Sequence, residues 1–140
     1  MKKTINIMGK DYEVCINAYT PFLYKKVFKT GFMEDIGKLS EINVKRETLE
    51  KELTNKGLTK EEIEEQINLK TMGDLDSLIE VITQIAYILI LGNDKNFKPF
   101  ESWIAEQEKL SLTDNWIAEV TELAVTSFQW WRIKQGTKAT

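Results

Sequence analysis

The stretch from residue 85 to residue 103 constrains the fold most. It reads Ile-Ala-Tyr-Ile-Leu-Ile-Leu-Gly-Asn-Asp-Lys-Asn-Phe-Lys-Pro-Phe-Glu-Ser-Trp. A helix end that is apolar on nearly every side must be covered by neighbours on several sides, so the rest of the chain has to wrap around it. A Gly-Asn-Asp turn stops that helix, and Pro99 starts an aromatic-rich one carrying Phe100, Trp103 and Ile104. No residue type in this stretch performs covalent chemistry. The stretch reads as packing and recognition surface.

Composition narrows the function classes in the same direction. The 140 residues suit one domain with an adequate core. There is no histidine, so the commonest general base and metal ligand is missing. The single cysteine, Cys15, makes neither an internal disulfide nor a cysteine-rich zinc site. No catalytic residue, metal or cofactor is expected. Residues 1–6 lack the apolar run of a signal peptide. The longest apolar run, residues 85–91, falls short of the roughly 18 residues of a membrane span. The expectation is a soluble cytoplasmic protein with no membrane partner. A net charge of −3, with Arg46 and Arg132 the only arginines, argues against a nucleic-acid partner, because arginine is the preferred fork for phosphates and guanine edges.

Periodicity predicts a mainly α fold with an N-terminal β-hairpin, an α+β single small domain over residues 1–140. Its parts are a hairpin at 1–17, short helices at 18–40, a charged helical excursion at 41–72, a helical core at 73–133 and a polar tail at 134–140. In the hairpin, Gly9-Lys10 suits a two-residue type II′ turn, which would set Met8 opposite Asp11, Ile7 opposite Tyr12 and Ile5 opposite Val14. One face then carries Ile5, Ile7, Tyr12, Val14 and Ile16, and the other Asn6 and Glu13. Thr20-Pro21 reads as an N-cap followed by a first-turn proline, with Tyr19 and Tyr24 placed for a hydrophobic staple. That helix should stop near Thr30-Gly31, and a second short one should cover residues 32–39.

Residues 41–72 are rich in Glu and Lys, with Glu47/Lys51 and Glu52/Lys56 in the favourable i,i+4 order. Gly57 should end one helix there. Thr59 and Glu62 then form a capping box, with Leu58 stapling to Ile63. A charge run of this kind is usually a solvated face; the sharper reading is a mobile arm that closes over a partner. Gly73-Asp74 opens the central helix over residues 75–91. Asp94 and Asn96 resemble part of a calcium loop, but no bidentate glutamate follows at the required spacing. The last helix, about residues 113–133, places Trp116, Ile117, Val120, Leu123, Ala124, Phe128, Trp130 and Trp131 within an arc of roughly 160°. Such an arc packs on two neighbours, or on one neighbour and a partner.

An ordered set of segments carries a resemblance. It consists of the hairpin, Ala18-Tyr19-Thr20-Pro21-Phe22-Leu23-Tyr24-Lys25-Lys26, a variable charged middle, Ile85-Ala86-Tyr87-Ile88-Leu89-Ile90, and Phe100-Glu101-Ser102-Trp103-Ile104. This resembles the tail assembly chaperones of long-tailed, siphovirus-type phages and prophages of Gram-positive bacteria. The opening Ile-Asn-Ile-Met-Gly-Lys-Asp-Tyr-Glu-Val is similar to the family's Asn-Gly-Lys hairpin, with Met8 where Asn is common. The likeness spans residues 1 to about 130 apart from the charged middle, which looks like an insertion.

The resemblance implies a non-enzymatic helper in the host cell cytoplasm, absent from the mature virion. It implies binding to the long helical tape-measure protein, which is kept soluble until tail-tube subunits polymerise. A frameshifted longer form would add contact to the tail-tube protein, and a polar tail ending at Thr140 fits the short form. The resemblance carries over no site residue. The partner-binding candidates come from the aromatic stripes: Trp103, Phe128 and Trp130, the last at its stripe's edge. Phe22, Phe28, Tyr87 and Trp116 are expected in the core. The apolar hairpin face and the wide last arc together predict a weak homo-oligomer. Two other classes compete with the chaperone reading. One is a head–tail or tail-completion subunit, which would persist in purified particles. The other is a small regulatory module of a mobile element, which gene context would separate.

Overall fold

The computed structural model describes the backbone of residues 1–110 and 114–139, and the side chains of residues 1–110 and 114–127. Among the described residues the chain forms an antiparallel hairpin followed by six helices. Strand β1 (Lys2–Ile7) pairs with β2 (Lys10–Cys15) from Lys2 opposite Cys15 to Ile7 opposite Lys10. The turn is therefore centred on Met8-Gly9, not on Gly9-Lys10. Both residues have positive φ, 51° and 88°, the pattern of a type I′ turn. Its twist matches that of the strands, and this outweighs the roughly 1–2 kcal/mol that a left-handed methionine costs. Ile5 consequently faces Tyr12, not Val14. The slip is an even number of residues, so side-chain parity is unchanged. Ile5, Ile7, Val14 and Ile16 are still buried on one face, with Tyr12 half-buried beside them.

Helix α1 (Thr20–Phe28) is entered through Asn17. The Tyr19 amide donates to Asn17 Oδ1 at 2.8 Å, and the Asn17 amide donates back to Thr20 Oγ1 at 2.9 Å. Thr20 therefore does not cap the helix forward, as the sequence pattern suggested; its hydroxyl closes the preceding turn. Lys29, in the left-handed region at φ 67°, ends the helix with its amide on Lys25 O. Helix α2 (Phe32–Asn55) then runs unbroken for 24 residues. The division expected near residue 40 does not exist, because a change from apolar to charged composition contains no backbone breaker. The first half of α2 buries Phe32, Ile36 and Leu39 in the main core.

Beyond that point α2 pairs with α3 (Lys60–Lys70) to form an arm, in which Ile42, Leu53 and Ile67 are buried apart from the main core. Thr59 Oγ1 accepts the Glu62 amide at 3.2 Å, one half of a capping box; the Glu62 carboxylate takes the Thr59 hydroxyl proton at 2.9 Å instead of the cap amide. Arg46 fixes the base of the arm. Its Nη1 donates to Thr71 Oγ1 at 3.0 Å and its Nη2 to Asn68 Oδ1 at 3.2 Å, while Lys45 meets Asp74 at 2.8 Å.

Helix α4 (Met72–Asn93) is the axis of the molecule. By length and composition it could cross a membrane, but half of its most apolar window is buried inside the fold. Residues 85–90 are buried, as the all-round apolar pattern required, and Val81, Ile82 and the polar Thr83 are buried with them, the Thr83 hydroxyl being satisfied by the Ile79 carbonyl. β2, α1, α2 and α6 all pack on it. At its end a Cβ on Gly92 would stand 3.0 Å from the Cys15 carbonyl oxygen, so glycine permits the strand to lie directly on the helix. Helices α5 (Phe100–Ala105) and α6 (Asn115–Ala139) close the remaining sides, α6 burying Trp116, Val120, Leu123 and Ala124.

Candidate interaction surface

The first candidate from the sequence, Trp103, is core. It is 0% exposed, its indole N–H donates to the Tyr12 hydroxyl at 3.1 Å, and it lies among the rings of Tyr87, Phe97 and Phe100. In this structure a partner has no access to it. The reason is local: α5 turns its aromatic side onto α4 and the hairpin, where edge-to-face ring packing and the indole bond are both satisfied. Phe128 and Trp130 lie outside the residues whose side chains are described. Tyr87 and Trp116 are buried and Phe28 is half-buried, as expected.

Phe22 reverses its expectation. It is 71% exposed, with Tyr19, just before α1, at 55% and Met33, on α2, at 42%. The cause lies in α1 itself. Tyr24 and Phe28, four residues apart, face the core, and Phe22 stands about 200° round the helix from Tyr24. The Tyr19 and Phe22 rings stack on each other, 6.4 Å between centroids at 17°, instead of Tyr19 stapling to Tyr24. Phe22, Pro21 and Met33 line an open groove of about 470 Å³ between α1 and the start of α2, with Lys25 and Lys26 on its α1 side and Glu34 on its α2 side. Residues 18–33 contain three lysines and no acidic residue, in a chain that is acidic as a whole.

A buried polar node holds the two walls of this groove together. The Tyr24 hydroxyl donates to Asp35 Oδ2 at 2.6 Å, and the Thr30 hydroxyl donates to the same oxygen at 2.8 Å. Asp35 is 2% exposed, with the Lys38 ammonium 3.5 Å from its other oxygen. A carboxylate at this depth is tolerable because it is hydrogen-bonded, ion-paired and in the first turn of α2, where the helix dipole favours negative charge. Gln84 lies 2.9 Å from the same Tyr24 hydroxyl. The structure places Gln84 Oε1 on this side, with Nε2 turned toward the Glu80 carboxylate at 3.5 Å, so the one phenol proton lies between Asp35, at the shorter distance, and Gln84. Burial, reinforced by the Asp35 carboxylate, raises the Tyr24 phenol far above the usual tyrosine range. The crevice beside this node is only about 100 Å³, well below the size of a pocket for a drug-sized ligand.

A second cleft, about 620 Å³, lies between the arm and α6, with Leu39, Met72, Leu75 and Ile117 along it and Arg46 at one end. The Arg46 fork is committed to Thr71 and Asn68, so this cleft does not present a free cation. No group of His, Cys, Asp and Glu side chains able to hold a metal ion occurs among the described residues. Apolar contact flanked by lysine is offered at the α1–α2 groove, where Phe22 and Met33 are exposed beside Lys25 and Lys26. No protein-family model matches the chain, and neither a curated protein nor a solved structure does.

Proposed function

We propose that the chain is a non-enzymatic tail assembly chaperone of a long-tailed phage or prophage, which binds the tape-measure protein and keeps it soluble before the tail tube forms. The single observation that carries the binding role is the open α1–α2 groove, with Phe22 and Met33 exposed along it. The identity of the partner rests on the ordered sequence resemblance. A tape-measure protein is a long helix with apolar stripes, and its chaperone needs accessible apolar surface, moderate affinity and no irreversible chemistry. In this reading the work is done by mass action: whatever holds the soluble form of the partner lowers the concentration of its aggregating form. A longer, frameshifted product would extend the partner list to the tail-tube protein.

The test is co-expression with the tape-measure protein of the same genetic element. The expected result is a soluble tape-measure protein that co-purifies with this chain without nucleotide, and with less yield when Phe22 is replaced by Ser. A folded preparation that neither binds nor solubilises that protein refutes the proposal. Recovery of the chain in purified virions would assign it instead to the structural subunits of the particle.

A further inference from the structure

We infer that the α1–α2 groove takes the apolar face of an amphipathic helix whose flanking residues are acidic. This rests on the reading of that groove as the working face and adds the chemistry of what it selects. Three features carry it. Both walls are helices, and the groove offers side chains to its occupant, so a third helix laid across their ridges fits better than an extended strand, which needs unpaired backbone groups to ladder with. Phe22 on one wall and Met33 on the other are large, exposed and anchored on rigid elements, which suits them to clamp an apolar side chain between them. Lys25 and Lys26 border the α1 side, in a segment with no acid of its own.

The charge arrangement also sets an orientation. Glu34 stands on the α2 side, so the acidic flank of the occupant belongs against Lys25 and Lys26 and its neutral or basic flank against Glu34. An anionic lipid surface would be drawn to the same lysines. The concavity of the groove and the carboxylate on its second wall favour a protein helix over a flat, uniformly negative surface.

Two designed peptides of about 18 residues, long enough to form several helical turns, test this. They share one Leu/Phe stripe; one carries Glu at the flanking positions and the other Lys. Labelled peptide is titrated with the full chain and followed by fluorescence anisotropy at low and high salt. The acidic peptide is expected to bind at least about tenfold more tightly, with the preference shrinking as salt screens the lysines. Phe22→Ser with Met33→Ser should remove binding of both peptides. Lys25→Glu with Lys26→Glu should reverse the preference while the chain stays folded, with only a small fall in thermal stability because both lysines are exposed but lie in the last turn of α1, where the helix dipole favours cations.

Equal affinity for the two peptides, a preference for the basic one, binding that survives Phe22→Ser with Met33→Ser, or absence of binding would each overturn the inference. Capture by vesicles rich in anionic lipid in preference to the acidic peptide would overturn it in favour of a membrane face. A chain that solubilises its tape-measure protein but ignores both peptides refutes this chemistry and leaves the chaperone role intact. A chain that binds the acidic peptide but fails with the tape-measure protein does the converse.

Discussion

Tyr24→Phe is the most direct probe of how the groove is held. The substitution removes one oxygen from a fully buried ring and leaves the apolar packing against Phe28 and Phe32 in place. What is lost is the 2.6 Å hydrogen bond to Asp35 and the contact with Gln84. A hydrogen bond to a charged group contributes about 1.5–3 kcal/mol, and an acceptor left partly unsatisfied in a buried site adds its desolvation cost. Asp35 retains the Thr30 hydroxyl and the Lys38 ammonium, so the lower half of that range applies, about 1.5–2 kcal/mol. For a domain of this length that corresponds to a fall in Tm of roughly 5–8 °C. Urea unfolding should show a lower midpoint at unchanged slope. A double-mutant cycle with Asp35→Asn should give a coupling of at least about 1 kcal/mol, because the two residues share one bond. A loss under about 0.5 kcal/mol with no coupling would refute the reasoning, since it would mean that the carboxylate is satisfied without the phenol.

Further outcomes follow from other parts of the structure. Gly37 lies mid-helix on α2 with open space where a Cβ would go, so Gly37→Ala should raise stability by about 0.5–1 kcal/mol. Gly92→Ala should yield no such gain, because its Cβ would press on the Cys15 carbonyl; a thermal melt of each variant checks the pair. The phenols of Tyr24 and Tyr87 are both raised by burial, so the folded state holds protons that the unfolded chain releases. That contribution is complete below the unfolded tyrosine value of about 10 and is lost as pH rises beyond it, so stability should fall through the alkaline range. Absorbance at the tyrosinate band should show Tyr24 ionising only with unfolding and Tyr87 ionising above the ordinary tyrosine range, and ionisation of Tyr24 in the folded protein at the free-tyrosine value would contradict it. Arg46→Met should speed amide exchange in α3 while leaving residues 81–90 protected, because the guanidinium ties the arm's base and not the core; uniform protection across both would show the arm to be part of one cooperative unit.

The face of the hairpin was readable because period-two alternation is insensitive to even shifts of register. Its turn was not, because the penalty on a left-handed Met8 looks decisive in isolation and strand twist enters only when the strands are paired. The burial of residues 85–90 followed from a helix end with no polar side. The continuity of α2 did not follow, since composition marks where a helix leaves the core, not where it stops. The interaction surface was the hardest part. Assigning aromatic residues to the core suits Tyr87 and Trp116 and fails for Phe22, while Trp103, set apart as a partner-binding candidate, is core. The angular separation of Phe22 from the Tyr24/Phe28 pair was present in the sequence, but only the packing of α1 on α4 decides which of the two sides faces inward.

The unbroken course of α2 makes it a lever. Its first turns supply one wall of the groove and the Asp35 node, its middle rests on α4, and its far half is the spine of the arm. From Leu39, the last α2 residue in the main core, to Asn55 at the tip is about 24 Å at the rise of an α-helix. With no kink to absorb a rotation, a tilt of about 5° that opens or closes the groove carries the tip of the arm through about 2 Å, a displacement on the scale of a side-chain contact. A ligand that tilted α2 on entering the groove would thereby move the arm, against the Arg46 and Lys45 contacts at its base.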